Sequence, residues 1–166
     1  MEGEALGIGL VAAAASMGRV LAERRPARVI LVGTAGTFGA IPVGAVIQGR
    51  RLGLGVVAVA LGLGYQPGAP AGIPGVDLGL RGADVLTNLA VTTDPDLAAR
   101  FAADWQIEHM ETYGAAWACR AAGVPFGVVL GVTNRVGPDA HAQWVANRAA
   151  VEAATRAAVA GLRSRG

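Results

Sequence analysis

The stretch Val29-Ile30-Leu31-Val32-Gly33-Thr34-Ala35-Gly36 determines the fold class of this chain. Its first four residues are apolar and are followed by a glycine, a pattern typical of a short strand that is buried on both faces. The glycines after it predict a tight turn at the end of that strand. An alanine-rich segment, residues 11–25, precedes the stretch and stops at Pro26, as a helix would. The order of helix and then buried strand indicates an α/β protein.

The same order recurs towards the carboxyl end of the chain. A helix predicted over residues 112–122 ends at Gly123, and an apolar strand follows over residues 126–133. The other predicted elements are strands at 43–48 and 54–61, a loop at 66–75, and helices at 94–105 and 140–163. We therefore predict a three-layer α/β domain with a central mixed β-sheet between helices, and a single domain over residues 1–166.

The composition excludes several classes of protein. Of the 166 residues, 53% are hydrophobic and 16% are charged, which excludes a disordered chain and predicts one substantial core. All 14 basic residues are arginine, which excludes a Schiff-base lysine and the lysine of a phosphate-binding Walker loop. One cysteine, Cys119, and two histidines, His109 and His141, are too few for a disulfide or a metal cage. We expect neither a metal nor a cofactor.

Charge and hydropathy also restrict the partners and the location. The net charge of +2 is small and the arginines are scattered, so we expect no nucleic-acid partner. Residues 29–47 are uncharged for long enough to span a bilayer, but their glycines and Pro42 indicate buried sheet, and we expect no membrane association. Glu2 and Glu4 stand where a signal peptide carries basic residues. We expect a cytoplasmic protein.

Three glycine-bearing turns and one acidic cluster could carry chemistry. The turns are residues 7–9, residues 33–36 and the strand end at residues 131–134. Turns of this kind let the backbone approach a ligand at a strand end, although tight packing alone would also explain their glycines. In the acidic cluster Glu108-His109-Met110-Glu111, a carboxylate could accept both hydroxyls of a ribose while Met110 packs on the sugar. Acidic residues at a helix start are the alternative, because the helix dipole favours them. We interpret His109 as a surface histidine.

Asn134 is the third candidate, because it follows a buried strand. An amide offers two donors and one acceptor, which suit the N7 atom and the 6-keto oxygen of a purine. A residue that only caps the strand is the alternative.

Taken in order, these segments resemble the nucleoside phosphorylase and nucleosidase superfamily over nearly the whole chain. The segments that carry the resemblance are Gly7-Ile8-Gly9, Val32-Gly33-Thr34-Ala35-Gly36, Val43-Gly44-Ala45-Val46, Met110-Glu111-Thr112, Val124-Pro125-Phe126 and Val132-Thr133-Asn134. Within the superfamily the chain is most similar to futalosine hydrolase, the nucleosidase of an alternative menaquinone pathway. Thr87-Asn88, Met110-Glu111, Asn134 and Trp144 stand at the positions of that signature.

The resemblance implies hydrolysis of the N-glycosidic bond of a purine nucleoside and assigns residues to the site. Glu111 would hold the ribose hydroxyls, and Asn134 would read the base as the second catalytic residue. The implied substrate-binding residues are Gly9, Thr34, Ala35, Gly36, Asn88 and Met110. Nucleosidases directed at adenosine carry Asp in place of Asn134, so an amide there implies hypoxanthine as the leaving base.

Departures from the family pattern leave alternatives open. Hexameric phosphorylases carry an arginine where this chain has Leu31, so water is the expected nucleophile. An arginine of many nucleosidases is replaced by Leu130. Family members begin with one or two further strands that supply a water-activating carboxylate, and we expect the sheet to lack them at its amino-terminal edge.

The alternatives to a futalosine-type enzyme are a purine nucleoside phosphorylase, a methylthioadenosine/S-adenosylhomocysteine nucleosidase-like enzyme, and a catalytically degenerate nucleoside-binding homologue. An open sheet edge favours a homo-oligomer as the assembled form.

Overall fold

Apolar strands and alanine-rich helices alternate along the chain and build a mixed sheet covered by helices. The computed structural model describes residues 3–67 and 72–163. Its elements in chain order are α1 Leu10–Arg24, β1 Val29–Thr37, β2 Val46–Leu54, α2 Val57–Ala60, β3 Ile73–Pro74, β4 Gly82–Thr87, α3 Pro95–Ala102, β5 Ile107–His109, α4 Thr112–Ala121, β6 Phe126–Arg135 and α5 Ala140–Arg163.

The sheet has the strand order β3-β2-β4-β5-β1-β6 and contains both parallel and antiparallel pairs. Strand β1 runs parallel to β6, with Val29 opposite Phe126, and antiparallel to β5. Strand β2 is parallel to β4 and also pairs antiparallel with β6, where Val46 lies opposite Gly131. Because β2 pairs with both β4 and β6, the strands β2, β4, β5, β1 and β6 close into a ring.

The residues of β6 show that helices cover both faces of the sheet. Leu130 and Val132 are fully buried in the hydrophobic core with Met17 of α1 and Cys119 of α4. Gly131 lies between them in sequence and meets α5 instead, because successive strand residues point to opposite faces. Helices α1 and α4 therefore form one layer and α5 the other, as expected for a three-layer α/β fold.

The glycines after residue 32 do not form the predicted turn. Strand β1 continues through Gly33 and Gly36 to Thr37, with a β-bulge opposite β6 between Ala35 and Gly36. The ring of His109 packs over Gly33, and the amide of Asn134 packs against Gly36. Because glycine has no side chain, Gly33 and Gly36 allow these close contacts. They do not turn the chain.

The predicted strand at 54–61 is also wrong. Strand β2 covers Val46–Leu54, and residues 57–60 form the short helix α2. The sequence did not predict the middle of β2 as strand, because two arginines lie there and charged residues are unusual inside a strand. Arg50 and Arg51 both pair with Asp84, at 3.4 and 3.1 Å, and the guanidinium of Arg51 lies 4.0 Å from the ring of Trp105.

The predicted helices are confirmed within a few residues at their ends. Asp94 caps α3, where its side chain accepts a hydrogen bond from the N–H of Leu97 at 2.7 Å. Part of the predicted loop at 66–75, residues 68–71, lies outside the described residues. No helix within residues 3–67 and 72–163 is long and apolar enough to cross a bilayer.

One edge of β1 is open. Its residues 29–37 pair with β6 on one side, whereas β5 pairs only with Gly36 and Thr37 on the other. In the described part of the chain, no strand covers that second edge between Val29 and Ala35, and Val32 is 44% exposed.

Candidate functional site

A cavity of about 690 Å³ lies between the amino-terminal segment, β1 and the end of α5. Its walls are largely apolar and include Leu6, Ile8, Met17, Val20, Leu31 and Val159. Thr34, His109 and Glu111 line one end of it, and Arg24 and Arg28 line the other. A cavity of this volume and composition is typical of sites for small molecules.

Glu111 lies where the amino-terminal ends of two helices meet. It is the residue before α4, and its Oε1 accepts a hydrogen bond of 2.7 Å from the N–H of Gly9, the residue before α1. The positive ends of both helix dipoles therefore interact favourably with its negative charge. The side chain is 18% exposed, so the carboxylate can reach a ligand in the cavity.

His109 is buried beside Glu111, so its interpretation as a surface histidine is wrong. The N–H groups of Glu111 and Thr112 donate to its Nδ1 at 3.3 and 3.2 Å, and the Thr112 hydroxyl lies 2.7 Å from the same atom. Nδ1 is thus an acceptor, and the proton of the neutral ring resides on Nε2. Nε2 lies 3.3 Å from Oε2 of Glu111. Burial lowers the pKa of His109, and attraction to Glu111 opposes this effect only in part.

Glu108 and Asn88 form a separate buried polar cluster. The amide Nδ2 of Asn88 donates to Oε1 of Glu108 at 2.7 Å, and the N–H of Thr92 donates to Oε2 of Glu108 at 3.1 Å. The Oδ1 atom of Asn88 is buried over Gly55 and has no hydrogen-bond partner among the residues that the structure describes. The cluster ties the loop after β4 to β5.

Asn134 lies at the end of β6 beside Gly36. Its Nδ2 donates to the carbonyl of Arg135 at 3.1 Å, and its Oδ1 accepts from the hydroxyl of Thr133 at 2.9 Å. The side chain is buried, and a Cβ on Gly36 would lie 3.0 Å from its amide nitrogen.

The structure brings some of the proposed site residues together and separates others. Thr34 and Glu111 line the cavity, and Gly9 contacts Glu111. Ala35 is buried in the hydrophobic core. Met110, which lies between His109 and Glu111 in the sequence, is half-buried. The residues found outside the cavity lining are Gly9, Ala35, Gly36, Asn88, Met110 and Asn134.

Thr34 is also linked to the last helix. The indole N–H of Trp144 donates to its hydroxyl at 3.2 Å, so α5 restrains the strand at the polar end of the cavity.

His109 is the site residue that the sequence analysis missed. A signal was present, because Ile107 and His109 are two residues apart in a strand and therefore face the same side of the sheet. Ile107 is fully buried, and His109 follows it into the interior.

Comparison with known proteins gives matches among solved structures. No family model matches the chain, and no curated protein matches it. A futalosine hydrolase from Helicobacter pylori superposes with a TM-score of 0.85 at 14% identity and covers 97% of this chain and 79% of its own. A 5′-methylthioadenosine/S-adenosylhomocysteine nucleosidase from Neisseria meningitidis, in complex with methylthio-immucillin-A, has a TM-score of 0.83 at 20% identity, with coverage of 97% and 79%.

A third solved structure is similar to the same extent. The 5′-methylthioadenosine/S-adenosylhomocysteine nucleosidase from Colwellia psychrerythraea, in complex with adenine, has a TM-score of 0.82 at 20% identity and covers 95% of this chain and 74% of its own. Superposition over nearly all of this chain confirms the resemblance noted in the sequence at the level of fold. The chain therefore has the same fold as these nucleosidases and this futalosine hydrolase.

Proposed function

We propose that this protein is an N-ribosyl hydrolase that cleaves the N-glycosidic bond of a purine nucleoside, with futalosine as substrate and hypoxanthine as the released base. The observation that carries the proposal is the Glu111 carboxylate, held at one end of a nucleoside-sized cavity by Gly9 and His109. Structural similarity to nucleosidases supports the same reaction.

Glu111 has acceptor capacity left for a sugar. A carboxylate offers about four lone-pair sites, and contacts with Gly9 and His109 use one on each oxygen. The remaining sites can accept the two hydroxyls of a ribose. Cleavage of a glycosidic bond develops positive charge on the sugar, and a carboxylate held in place stabilises that charge without reorganising.

Water is the proposed nucleophile because no described arginine lies at the polar end of the cavity, where it could bind phosphate. The arginines in the cavity lining are Arg24 and Arg28. Arg28 precedes β1 and is six residues from Thr34, which corresponds to about 20 Å along an extended strand. A phosphate bound at Arg28 would be too far from a sugar at Glu111 to attack it.

Asn134 is proposed to read the base. One hydrogen of its amide nitrogen bonds to the carbonyl of Arg135, and no described residue accepts the second. That second hydrogen can donate to N7 or O6 of a hypoxanthine ring. Donation to N7 would also stabilise the departing base, because negative charge develops there as the bond breaks.

The test is release of free base from futalosine and inosine, with and without phosphate, with adenosine and methylthioadenosine as comparison substrates. We expect hypoxanthine release that does not depend on phosphate. Glu111→Gln should reduce kcat/KM by about 10²-fold or more, as loss of a transition-state charge contact does. Glu152→Gln, on the exposed face of α5, is the control and should leave kcat/KM unchanged.

The remaining outcomes select the alternatives. Release that requires phosphate would identify a phosphorylase, and preference for methylthioadenosine would identify the other class of nucleosidase. Binding of nucleoside without release would identify a binding protein. We also propose that the protein acts in the cytoplasm and as a homo-oligomer, because its single cysteine is unpaired and the edge of β1 is open.

A further inference from the structure

The two ring nitrogens of His109 contact different parts of the molecule. Nδ1 accepts the N–H groups of Glu111 and Thr112 and so caps the first turn of α4. Nε2 faces the other way, towards Oε2 of Glu111 at 3.3 Å. One nitrogen thus stabilises a helix end, and the other approaches the carboxylate that lines the cavity.

We propose that His109 is a positioning residue, which holds the Glu111 carboxylate through Nε2 in the orientation that receives the sugar hydroxyls. The proposal rests on the proposed function, because it gives Glu111 its role there. The N–H of Gly9 donates a hydrogen bond to Oε1, and Nε2 of His109 lies 3.3 Å from Oε2. A carboxylate held on both oxygens cannot rotate freely, which lowers the entropy cost of binding a diol.

The surroundings of the ring fix its orientation. If the ring turned over, a carbon atom would replace Nδ1 and leave the donors of Glu111 and Thr112 without an acceptor inside the protein. On the side of β1, Gly33 has no side chain, and a Cβ there would lie 3.2 Å from Nε2. The absence of a side chain at Gly33 therefore leaves space for the nitrogen that faces Glu111.

Two substitutions separate the two roles. In His109→Asn, the side-chain oxygen can occupy the place of Nδ1 and cap α4, but no group reaches Glu111. In His109→Gln, the amide nitrogen can occupy the place of Nε2 and donate to Glu111. His109→Asn is therefore the variant that removes positioning, and His109→Gln is the conservative variant that restores it.

The probe is a C-glycosidic analogue of inosine, whose carbon–carbon link between base and sugar resists hydrolysis, together with its 2′,3′-dideoxy form. Binding is measured by calorimetry on the full chain, with thermal unfolding as the check on folding. We expect His109→Asn to unfold near the wild-type temperature and to bind the ribose analogue about tenfold more weakly. His109→Gln should bind it within about threefold of wild type, and all three proteins should bind the dideoxy form equally.

Equal affinity of wild type and His109→Asn for the ribose analogue would overturn the proposal. An equal loss of affinity for the ribose and dideoxy forms would overturn it too, since that result describes general damage to the cavity. In steady-state kinetics, His109→Asn should have a higher KM for inosine than wild type. His109→Gln should have a KM close to that of wild type.

A spectroscopic measurement separates failure of this proposal from failure of the proposed function. If wild type binds neither analogue, the proposed function fails, and the contact between His109 and Glu111 is tested by ¹⁵N NMR of the imidazole. We expect the tautomer protonated at Nε2, and a lower pKa of His109 in Glu111→Gln because the attraction to the carboxylate is lost. An imidazole that does not respond to Glu111→Gln would overturn the positioning role.

Discussion

Two neighbouring side chains of β5, Glu108 and His109, are buried on opposite faces of the strand and have separate partners. Glu108 binds the amide of Asn88 and the loop at Thr92, so its charge is satisfied inside the fold. His109 contacts Glu111, at the cavity. A three-residue strand thus supplies both a structural carboxylate and a group of the site.

The first prediction at this scale concerns pH and stability. The pKa of His109 in the folded state lies below its ordinary value of about 6.5 because the ring is buried, and Glu111 is the titratable side chain that faces it. Below about pH 6.5 the unfolded chain binds a proton that the folded chain does not, so stability must fall with pH until the folded pKa is reached.

Urea denaturation between pH 7.5 and 5 measures this effect. The free energy of unfolding of wild type should decrease relative to that of His109→Asn, by up to about 1.4 kcal/mol per pH unit. The carboxylates that do not contact His109 have the same surroundings in both proteins, so their contributions cancel. If the free energy of unfolding changed with pH in the same way for both proteins, folding would not lower the pKa of His109.

A second prediction concerns Asn134 and the choice of purine. A protonated carboxyl at this position can donate to N7 while its carbonyl oxygen accepts from a 6-amino group. Asn134→Asp should therefore shift the ratio of kcat/KM for inosine over adenosine towards adenosine by about tenfold or more, because the mismatched purine leaves buried polar groups unpaired. Equal calorimetric affinity of wild type for hypoxanthine and adenine would mean that Asn134 only caps its strand.

Individual residues show which parts of the candidate site could be predicted from the sequence. Glu111 could be identified because a Met-Glu pair directly precedes a predictable helix. For His109, the spacing from Ile107 indicates which side of the sheet it faces, but whether a polar residue on that side is buried depends on β1, which lies far away in sequence. The contacts of Asn88 with Glu108 depend in the same way on two strands meeting in the sheet.

At the scale of elements, helices were predictable and strands less so, for a physical reason. Helix ends have local signals, and Asp94 and Gly123 mark two of them. Where a strand begins and ends depends on the strands and side chains that it contacts, which can lie far away in sequence. Residues 57–60 are valine-rich but form a helix, whereas β2 continues through Arg50 and Arg51 because Asp84 neutralises both.

The contact between α1 and α4 gives a prediction at this scale. Gly114 of α4 packs directly against the carbonyl oxygen of Leu10 in α1, and an added Cβ would overlap that oxygen. Gly114→Ala should destabilise the protein by about 1–3 kcal/mol, as overpacking does, despite the better helix propensity of alanine. Because the hydrogen bond from Gly9 to Glu111 bridges the same two helices, nucleoside binding should weaken as well.

Gly18 provides the matched control for this measurement. It lies in α1, and a Cβ there would meet no described atom within 4 Å. Gly18→Ala should therefore stabilise the protein by about 0.5–1 kcal/mol through helix propensity alone. Chemical denaturation that gives both substitutions the same sign would show that α1 and α4 are not in close contact.

At the scale of the whole molecule, the open edge of β1 predicts self-association. An uncovered strand edge is a template for pairing, and Val32 exposes an apolar side chain on it. Light scattering at micromolar concentration should give a mass above that of one chain. Val32→Lys should reduce this mass, whereas Val145→Lys, on the exposed face of α5, should not. A monomeric wild type would contradict the prediction.

The buried thiol of Cys119 gives a second prediction for the whole molecule. Cys119 is buried in the core, and burial raises its pKa to about 11, so the reactive thiolate is scarce at neutral pH. Reaction with a disulfide reagent at pH 8 should be slow in the folded protein and should become as fast as that of free glutathione in urea. Rapid reaction without denaturant would mean that the core opens easily.

The ring of strands has a consequence for how the chain acquires its structure. Strand β6 is the partner of both β1 and β2, and it leaves the ribosome after both of them. Until it emerges, the only described strand that pairs with β1 is β5, at two residues, and the ring is open. Pairing between segments so distant in sequence closes large loops, which slows folding. We therefore expect the nascent chain to remain sensitive to proteases until β6 and α5 are synthesised, and then to become resistant in a single step.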